Sequence, residues 1–105
     1  MLNLEHSRDN DTARVAASGE LDIYSAPELS DVIDGYIDAG VKEVVLDLSG
    51  IEFLDSTGLS AFLAAHQRLE SEGGSLVLEG PGALITRMFD LTGLTEHFVI
   101  KFPKR

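Results

Sequence analysis

The stretch Val44-Val45-Leu46-Asp47-Leu48 decides the fold of this chain. It is short, partly β-branched and almost continuously apolar, which predicts a central strand that is covered on at least one face. A helical stripe follows it and stops at Glu72-Gly73-Gly74. The members of this stripe are Leu59, Phe62, Leu63, His66 and Leu69. Because Ser75 to Glu79 then favour another strand, we expect a strand–helix–strand crossover here.

Upstream of this stretch, two segments with alternating apolar residues, 2–6 and 13–17, predict a hairpin. Ser25-Ala26-Pro27-Glu28 predicts the start of a helix, with Ser25 as N-cap and Glu28 completing a capping box. The helix has an apolar stripe and an acidic outer face, and we expect it to end at Gly40. The stripe comprises Leu29, Val32, Ile33, Tyr36 and Ile37, and the acids off it are Asp31, Asp34 and Asp38.

Downstream, a third helical stripe is predicted to end at Gly93-Leu94, with the glycine in the left-handed conformation. Its members are Leu84, Ile85, Met88, Phe89 and Thr92. Val99 and Ile100 supply a final strand. The predicted fold class is therefore α/β: a single domain over residues 1–105 with a mixed central sheet of four or five strands and crossover helices packed against it.

Composition and charge narrow the possible partners. The chain has 105 residues and a formal net charge of −10, which would repel nucleic acid and anionic membrane surfaces. The first 55 residues hold 13 acidic and 3 basic residues, whereas the remaining 50 hold 5 of each. Cysteine is absent, and no apolar run approaches the length of a membrane span. We therefore expect a cytoplasmic protein that binds neither nucleic acid nor membrane.

One short segment, Asp55-Ser56-Thr57-Gly58-Leu59, stands between the central strand and the second helix. Asp55, Ser56 and Thr57 are all N-cap residue types, although one helix needs only one of them. Gly58 removes a side chain where a ligand could approach, and the helix N-terminus tolerates an anion such as a phosphorylated hydroxyl. The residues alone leave two interpretations open: a simple helix cap, or a phosphorylatable site.

Four segments in register resemble the anti-sigma-factor antagonists of the STAS domain family, most closely its RsbV type. They are Gly19-Glu20-Leu21-Asp22-Ile23-Tyr24-Ser25-Ala26-Pro27, Asp55-Ser56-Thr57-Gly58-Leu59, Gly73-Gly74-Ser75-Leu76 and Arg87-Met88-Phe89-Asp90-Leu91-Thr92-Gly93-Leu94. The resemblance covers nearly the whole chain and implies that Ser56 accepts a phosphate. It also implies a partner-binding surface of Asp22, Asp55, Thr57, Gly58 and Leu59. Thr57 replaces a serine of some members, which leaves Thr57 as a second possible acceptor.

The resemblance further implies a function. The unphosphorylated chain would bind an anti-sigma factor that is also a serine kinase, and would thereby release a sigma factor. Phosphorylation of Ser56 would weaken this complex, and a serine phosphatase would restore it. An alternative is a STAS scaffold or accessory subunit of a stressosome-like or transporter assembly. The identity of the sigma factor and the oligomeric state, monomer or weak dimer, stay open.

Rival chemistries find little support in the sequence. A Ser56–His66 catalytic pair is excluded because ten residues of helix separate the two by roughly 15 Å. His66 is better interpreted as a partly buried helix residue. His6, His66 and His97 are too scattered for a metal site, and the glycine pairs lack the lysine of a phosphate-binding loop. We therefore expect no enzymatic activity, no catalytic residue, no cofactor and no metal.

Overall fold

Within the described residues, five strands and three helices follow one another in the predicted order. The computed structural model describes residues 1–94 and 98–102. The strands are β1 (Leu2–Asp9), β2 (Thr12–Leu21), β3 (Glu43–Leu54), β4 (Ser75–Glu79) and β5 (Val99–Lys101), and the helices are α1 (Ala26–Asp38), α2 (Ser56–Ser71) and α3 (Ala83–Thr92). The predicted fold class is confirmed, with five strands in the sheet.

The sheet has the simple spatial order β1-β2-β3-β4-β5. β1 is antiparallel to β2, as expected for the hairpin, and the remaining neighbours are parallel. Right-handed crossovers that advance in one direction place all three helices on the same face of the sheet. Consequently β2, β3 and β4 end, and α1, α2 and α3 begin, along one side of the domain, which we call the carboxyl edge.

The core lies between this covered face and the helices. Val44, Leu46 and Leu48 of the predicted central strand are completely buried, as are Phe62 of α2 and Phe89 of α3. The two phenyl rings meet edge to face, with their centroids 6.3 Å apart. The alternation within β3 therefore selects the covered face, while the helical stripes supply the opposing layer.

Three local expectations are corrected by the structure. Ser25 makes no side-chain bond to α1, so the capping box is wrong: its hydroxyl accepts from the Asp22 N–H at 2.9 Å instead. Leu84, assigned to the buried stripe of α3, is 66% exposed. Helix α1 ends at Asp38, two residues before Gly40. By contrast, Gly93 adopts the predicted left-handed conformation after α3, with φ of 73°.

An ion network joins the first two helices away from the carboxyl edge. Arg68 of α2 pairs with Asp38 and, at 3.0 Å, with Asp34 of α1. Hydrogen bonds to Asp38 and then Asp34 raise the pKa of Arg68 further above its ordinary value. Two acids of the predicted outer face of α1 are therefore paired. No helix within the described residues is long and apolar enough to cross a membrane.

Candidate functional site

The predicted phosphorylatable segment lies at the carboxyl edge, at the junction of β3 and α2. Asp55 is the N-cap of α2, and its Oδ1 accepts hydrogen bonds from the backbone N–H groups of Thr57 at 2.9 Å and Gly58 at 3.2 Å. These two bonds satisfy two of the amides that a helix start leaves without partners. Of the three residues in the segment that could cap the helix, Asp55 does so, and the hydroxyls of Ser56 and Thr57 are not needed for capping.

Ser56, the first residue of α2, is exposed. Within residues 1–94 and 98–102, its hydroxyl has no hydrogen-bond partner. Thr57 is only half-exposed, so the two hydroxyls differ in access. Ser60, one turn further along α2, is exposed as well. The sequence analysis did not single out Ser60, although its i+4 spacing from Ser56 places both on one helix face.

Gly58 and Leu59 face the interior. A Cβ on Gly58 would overlap with Leu54 Cδ1 and would lie 3.1 Å from Leu21 Cδ2. The expectation that Gly58 opens the surface to a ligand is therefore wrong, because side chains of the core occupy that space. Leu59 is buried too and belongs to the hydrophobic core. These two residues support the first turn of α2 from beneath, and the accessible side chains of the segment are Asp55, Ser56 and Thr57.

Asp22 lies beside this segment, at the end of β2. The Asp55 N–H donates a hydrogen bond to the Leu21 carbonyl at 3.3 Å. Asp22 follows Leu21 and Ser56 follows Asp55, so each comes directly after one member of this bonded pair. Asp22 Oδ1 accepts from the N–H groups of Tyr24 at 3.0 Å and Ser25 at 3.1 Å. The hydrogen bond from the Ser25 N–H is the main cause that lowers the pKa of Asp22.

Around the ends of β2 and β3 the carboxyl edge is acidic, whereas Lys101 lies at the end of β5, two strands away from β3. Glu20, Asp22, Glu28, Glu52 and Asp55 all lie within a few residues of the ends of β2 and β3 or the start of α1. The terminal amine of Met1 pairs with Glu20 at 2.8 Å, and this hydrogen bond raises the pKa of that amine. Among the described cationic side chains, the following lie towards the opposite side of the domain: Arg8, Lys42 and Arg68.

Near the ends of β2 and β3, this edge exposes the large apolar side chains of Ile23, Tyr24 and Phe53, a feature that the sequence analysis missed. Ile23 is 62% and Tyr24 88% exposed in the loop between β2 and α1, and Phe53 near the end of β3 is 48% exposed. The available signal was an isoleucine and a tyrosine inside an otherwise polar strand-to-helix connection. Such residues in a loop have no core to enter, and exposed apolar clusters mark contact surfaces.

His6 and His66, the histidines among the described residues, do not form a site with Ser56. His66, 18% exposed, packs its ring against Phe98 with centroids 5.7 Å apart, which confirms the prediction of a partly buried helix residue. His6 lies on β1 against Tyr36. His97 falls outside the described residues. In the part of the chain that the structure describes, no group of three potential ligands is arranged to hold a metal ion.

The chain matches a known family over nearly its whole length. Residues 4–101 match the family described as "Mlab, STAS domain". The chain belongs to the STAS domain family. One relative is the anti-sigma-B factor antagonist of Staphylococcus epidermidis, which is 35% identical over 95 residues that cover 90% of this chain and 88% of the relative. That name describes a regulatory binding protein.

Solved structures share the STAS fold. An anti-sigma factor antagonist from Mycobacterium paratuberculosis superposes with a TM-score of 0.85 at 30% identity, covering 99% of this chain and 87% of that one. The Bacillus cell fate determinant SpoIIAA in its phosphorylated form gives a TM-score of 0.79 at 21% identity, covering 100% of this chain and 93% of that one. At that identity, the second comparison establishes the fold alone.

Proposed function

We propose that this STAS domain is an anti-sigma factor antagonist that works as a cytoplasmic partner switch. Its unphosphorylated form binds an anti-sigma factor with serine kinase activity and so releases a sigma factor. Phosphorylation of Ser56 weakens the complex, and a serine phosphatase reverses it. The observation that carries the proposal is the exposed Ser56 hydroxyl, which has no partner within the described residues because Asp55 already caps α2.

The position of Ser56 suits a phosphoacceptor. A kinase must reach the hydroxyl from solvent, and Ser56 stands at the start of a helix on the outer side of the carboxyl edge. The helix dipole favours negative charge at that end, so the free domain tolerates the phosphate. We therefore expect phosphorylation to leave the fold intact and to act on the partner interface.

The charge of the carboxyl edge explains why a phosphate would break the complex. Phosphorylation adds about −1.5 to −2 charges near neutral pH. This charge arrives beside Asp55 and near Asp22, whereas Arg8, Lys42 and Arg68 lie far from Ser56. An interface fitted to a small neutral hydroxyl would have to accommodate and desolvate a dianion. The negative charge of the phosphate would thus be added at a place that is distant from these three cationic side chains.

The relatives support this function. The staphylococcal relative is named for antagonism of an anti-sigma-B factor, and the mycobacterial structural neighbour is named an anti-sigma factor antagonist. The Bacillus neighbour is known in a phosphorylated form. The proposal assigns the same class of activity to this chain, with Ser56 as acceptor and Asp22, Asp55 and Thr57 as accessible members of the partner surface. Gly58 and Leu59 hold that surface from below.

The test uses a small ATP-binding serine kinase of the anti-sigma factor type, sought among the reading frames beside the gene for this protein. Labelling with ATP followed by phosphopeptide mapping should place the phosphate on Ser56, and Ser56→Ala should abolish it. Ser60→Ala is the matched control, since Ser60 is an exposed serine on the same helix face. Thr57→Val removes the neighbouring hydroxyl, the second possible acceptor, and should still be labelled. Continued labelling of Ser56→Ala would overturn the assignment, and a complex indifferent to ATP would favour the scaffold alternative.

A further inference from the structure

Beyond the phosphoacceptor, the carboxyl edge presents two exposed apolar side chains that the domain holds in place. Ile23 and Tyr24 occupy the short connection between β2 and α1, next to the Ser56 surface. A tyrosine that is 88% exposed gains nothing from the core. Aromatic residues of this kind dominate the energetics of many protein interfaces.

The connection is fixed by hydrogen bonds that its first residue, Asp22, accepts. Asp22 Oδ1 accepts from the backbone N–H groups of Tyr24 and Ser25 at 3.0 and 3.1 Å, and the Asp22 carbonyl accepts from the Ala26 N–H at 2.8 Å. The Ser25 hydroxyl donates to the Glu20 carbonyl at 2.8 Å. Tyr24, Ser25 and Ala26 are therefore tied to the end of β2, while the side chains of Ile23 and Tyr24 are exposed.

This arrangement assigns a role to Asp22 that differs from a direct contact. One carboxylate oxygen is already engaged with two backbone amides of its own loop. An ordered loop loses less conformational entropy on binding than a flexible one, so a side chain that orders it increases affinity without touching the partner. Asp22 is thus a positioning residue for the apolar pair.

We propose that Ile23 and Tyr24, positioned by Asp22, form the apolar anchor by which this protein binds its anti-sigma factor. This inference rests on the proposed function. The anchor is continuous with the Ser56 surface, because the Leu21 carbonyl and the Asp55 N–H join the two segments. The surrounding acids, Glu20, Glu28 and Glu52, select a partner that offers an apolar recess with a positively charged rim.

The first arm of the test measures binding of the unphosphorylated protein to the anti-sigma factor kinase with ADP, by calorimetry. Tyr24→Ser and Ile23→Ser should each weaken binding, the tyrosine variant by about 30-fold, without lowering the unfolding midpoint. Val99→Ser is the control, because Val99 is 45% exposed but lies on β5, three strands away from β2. It should bind as the wild type does.

The second arm separates positioning from charge. Asp22→Asn keeps an oxygen that accepts the Tyr24 and Ser25 amides, whereas Asp22→Ala removes it. We expect the asparagine variant to bind more tightly than the alanine variant, and the alanine variant to exchange those two amide protons faster. Asp22→Ala should cost less affinity in the Tyr24→Ser background than in the wild type, because only Ile23 of the pair is then left to position.

The outcomes distinguish the anchor from the partner switch. If wild-type protein does not bind the kinase, both proposals fail together. If it binds and is released by Ser56 phosphorylation, while Tyr24→Ser and Ile23→Ser bind as tightly as wild type, only the anchor is overturned. If Asp22→Asn is as weak as Asp22→Ala, the carboxylate charge contacts the partner and the positioning role is wrong.

Discussion

Asp55 Oδ1 accepts a hydrogen bond from the backbone N–H of Thr57 at 2.9 Å, across the residue that lies between them. The intervening residue is Ser56, whose hydroxyl points to solvent with no partner in the described residues. The aspartate therefore fixes the first turn of α2 and leaves the serine available for chemistry. Capping and the proposed phosphorylation use adjacent residues and do not compete for the same side chain.

The cap makes a measurable contribution to stability. Asp55→Ala removes the acceptor of the Thr57 and Gly58 amides, so we expect the free energy of unfolding to fall by about 1 kcal/mol. Urea unfolding monitored by circular dichroism measures this change. Asp55→Asn retains an acceptor oxygen and should recover most of the loss. If the asparagine variant is as unstable as the alanine variant, the hydrogen bonds to Asp55 are not the cause.

Two helical glycines should respond oppositely to the same substitution. Gly58→Ala places a methyl group against Leu54 and Leu21 in the core, and the overpacking outweighs the gain in helix propensity, for a net loss of about 1 kcal/mol. A Cβ added to Gly35 of α1 would meet no neighbouring atom of the described residues within 4 Å. Gly35→Ala should therefore stabilise the protein by up to about 1 kcal/mol.

Chemical unfolding of both glycine variants provides the measurement. Opposite signs would establish that Gly58 is retained for close packing beneath Ser56. A stabilised Gly58→Ala protein would mean that the core accepts the added methyl group, and the packing argument for Gly58 would be lost.

The stability of the β2–α1 connection should depend on pH through Asp22. Hydrogen bonds within the folded loop lower the pKa of Asp22 below its ordinary value of about 3.9. The ionised carboxylate therefore contributes stability above that pH, and the contribution is lost as the pH falls through the lowered pKa. Asp22→Asn cannot titrate and serves as the reference.

Urea unfolding of wild type and Asp22→Asn at a series of pH values tests this sign. The wild type should be the more stable of the two at pH about 7, and the difference should shrink below pH about 4 as Asp22 takes up its proton. A difference that grows on acidification would show that the folded state raises the pKa of Asp22, against the hydrogen-bond pattern observed.

A negative charge at Ser56 should be compatible with the fold. Ser56→Asp places a carboxylate at the N-terminal end of α2, where the helix dipole contributes about 0.3 to 1 kcal/mol in its favour, opposed by the nearby Asp55. We therefore expect the Tm to stay within about 5 °C of wild type. Differential scanning calorimetry gives the value. Extensive melting of this variant would mean that phosphorylation acts through unfolding of the domain.

Much of the fold could be predicted because it depends on periodicity. The apolar run from Val44 and the three helical stripes each report which side of an element is buried, and Gly93 marks a helix end by its conformational freedom. Leu84 was misassigned since a residue at the margin of a stripe can face either way, and only the packing of α3 decides. The stripe alone does not show whether Leu84 faces the core or the solvent.

The site was predicted in part for a similar reason. The segment from Asp55 contains three capping residue types, and residue types alone do not say which one caps. Ser25 occupies the N-cap position of α1 without a capping side-chain bond, because its hydroxyl is engaged by the Asp22 N–H and the Glu20 carbonyl, a choice made by loop geometry. Gly58 looked like an opening because nothing in the sequence ties it to Leu21 and Leu54, which meet it only in the folded core.

The central claim is that one phosphate on Ser56 releases the anti-sigma factor. Calorimetric titration of the anti-sigma factor kinase with unphosphorylated protein and with protein phosphorylated at Ser56 measures it most directly. We predict a loss of about 3 to 4 kcal/mol in binding free energy, a few hundredfold in affinity, at an unchanged unfolding midpoint. Equal affinity of the two forms would contradict it.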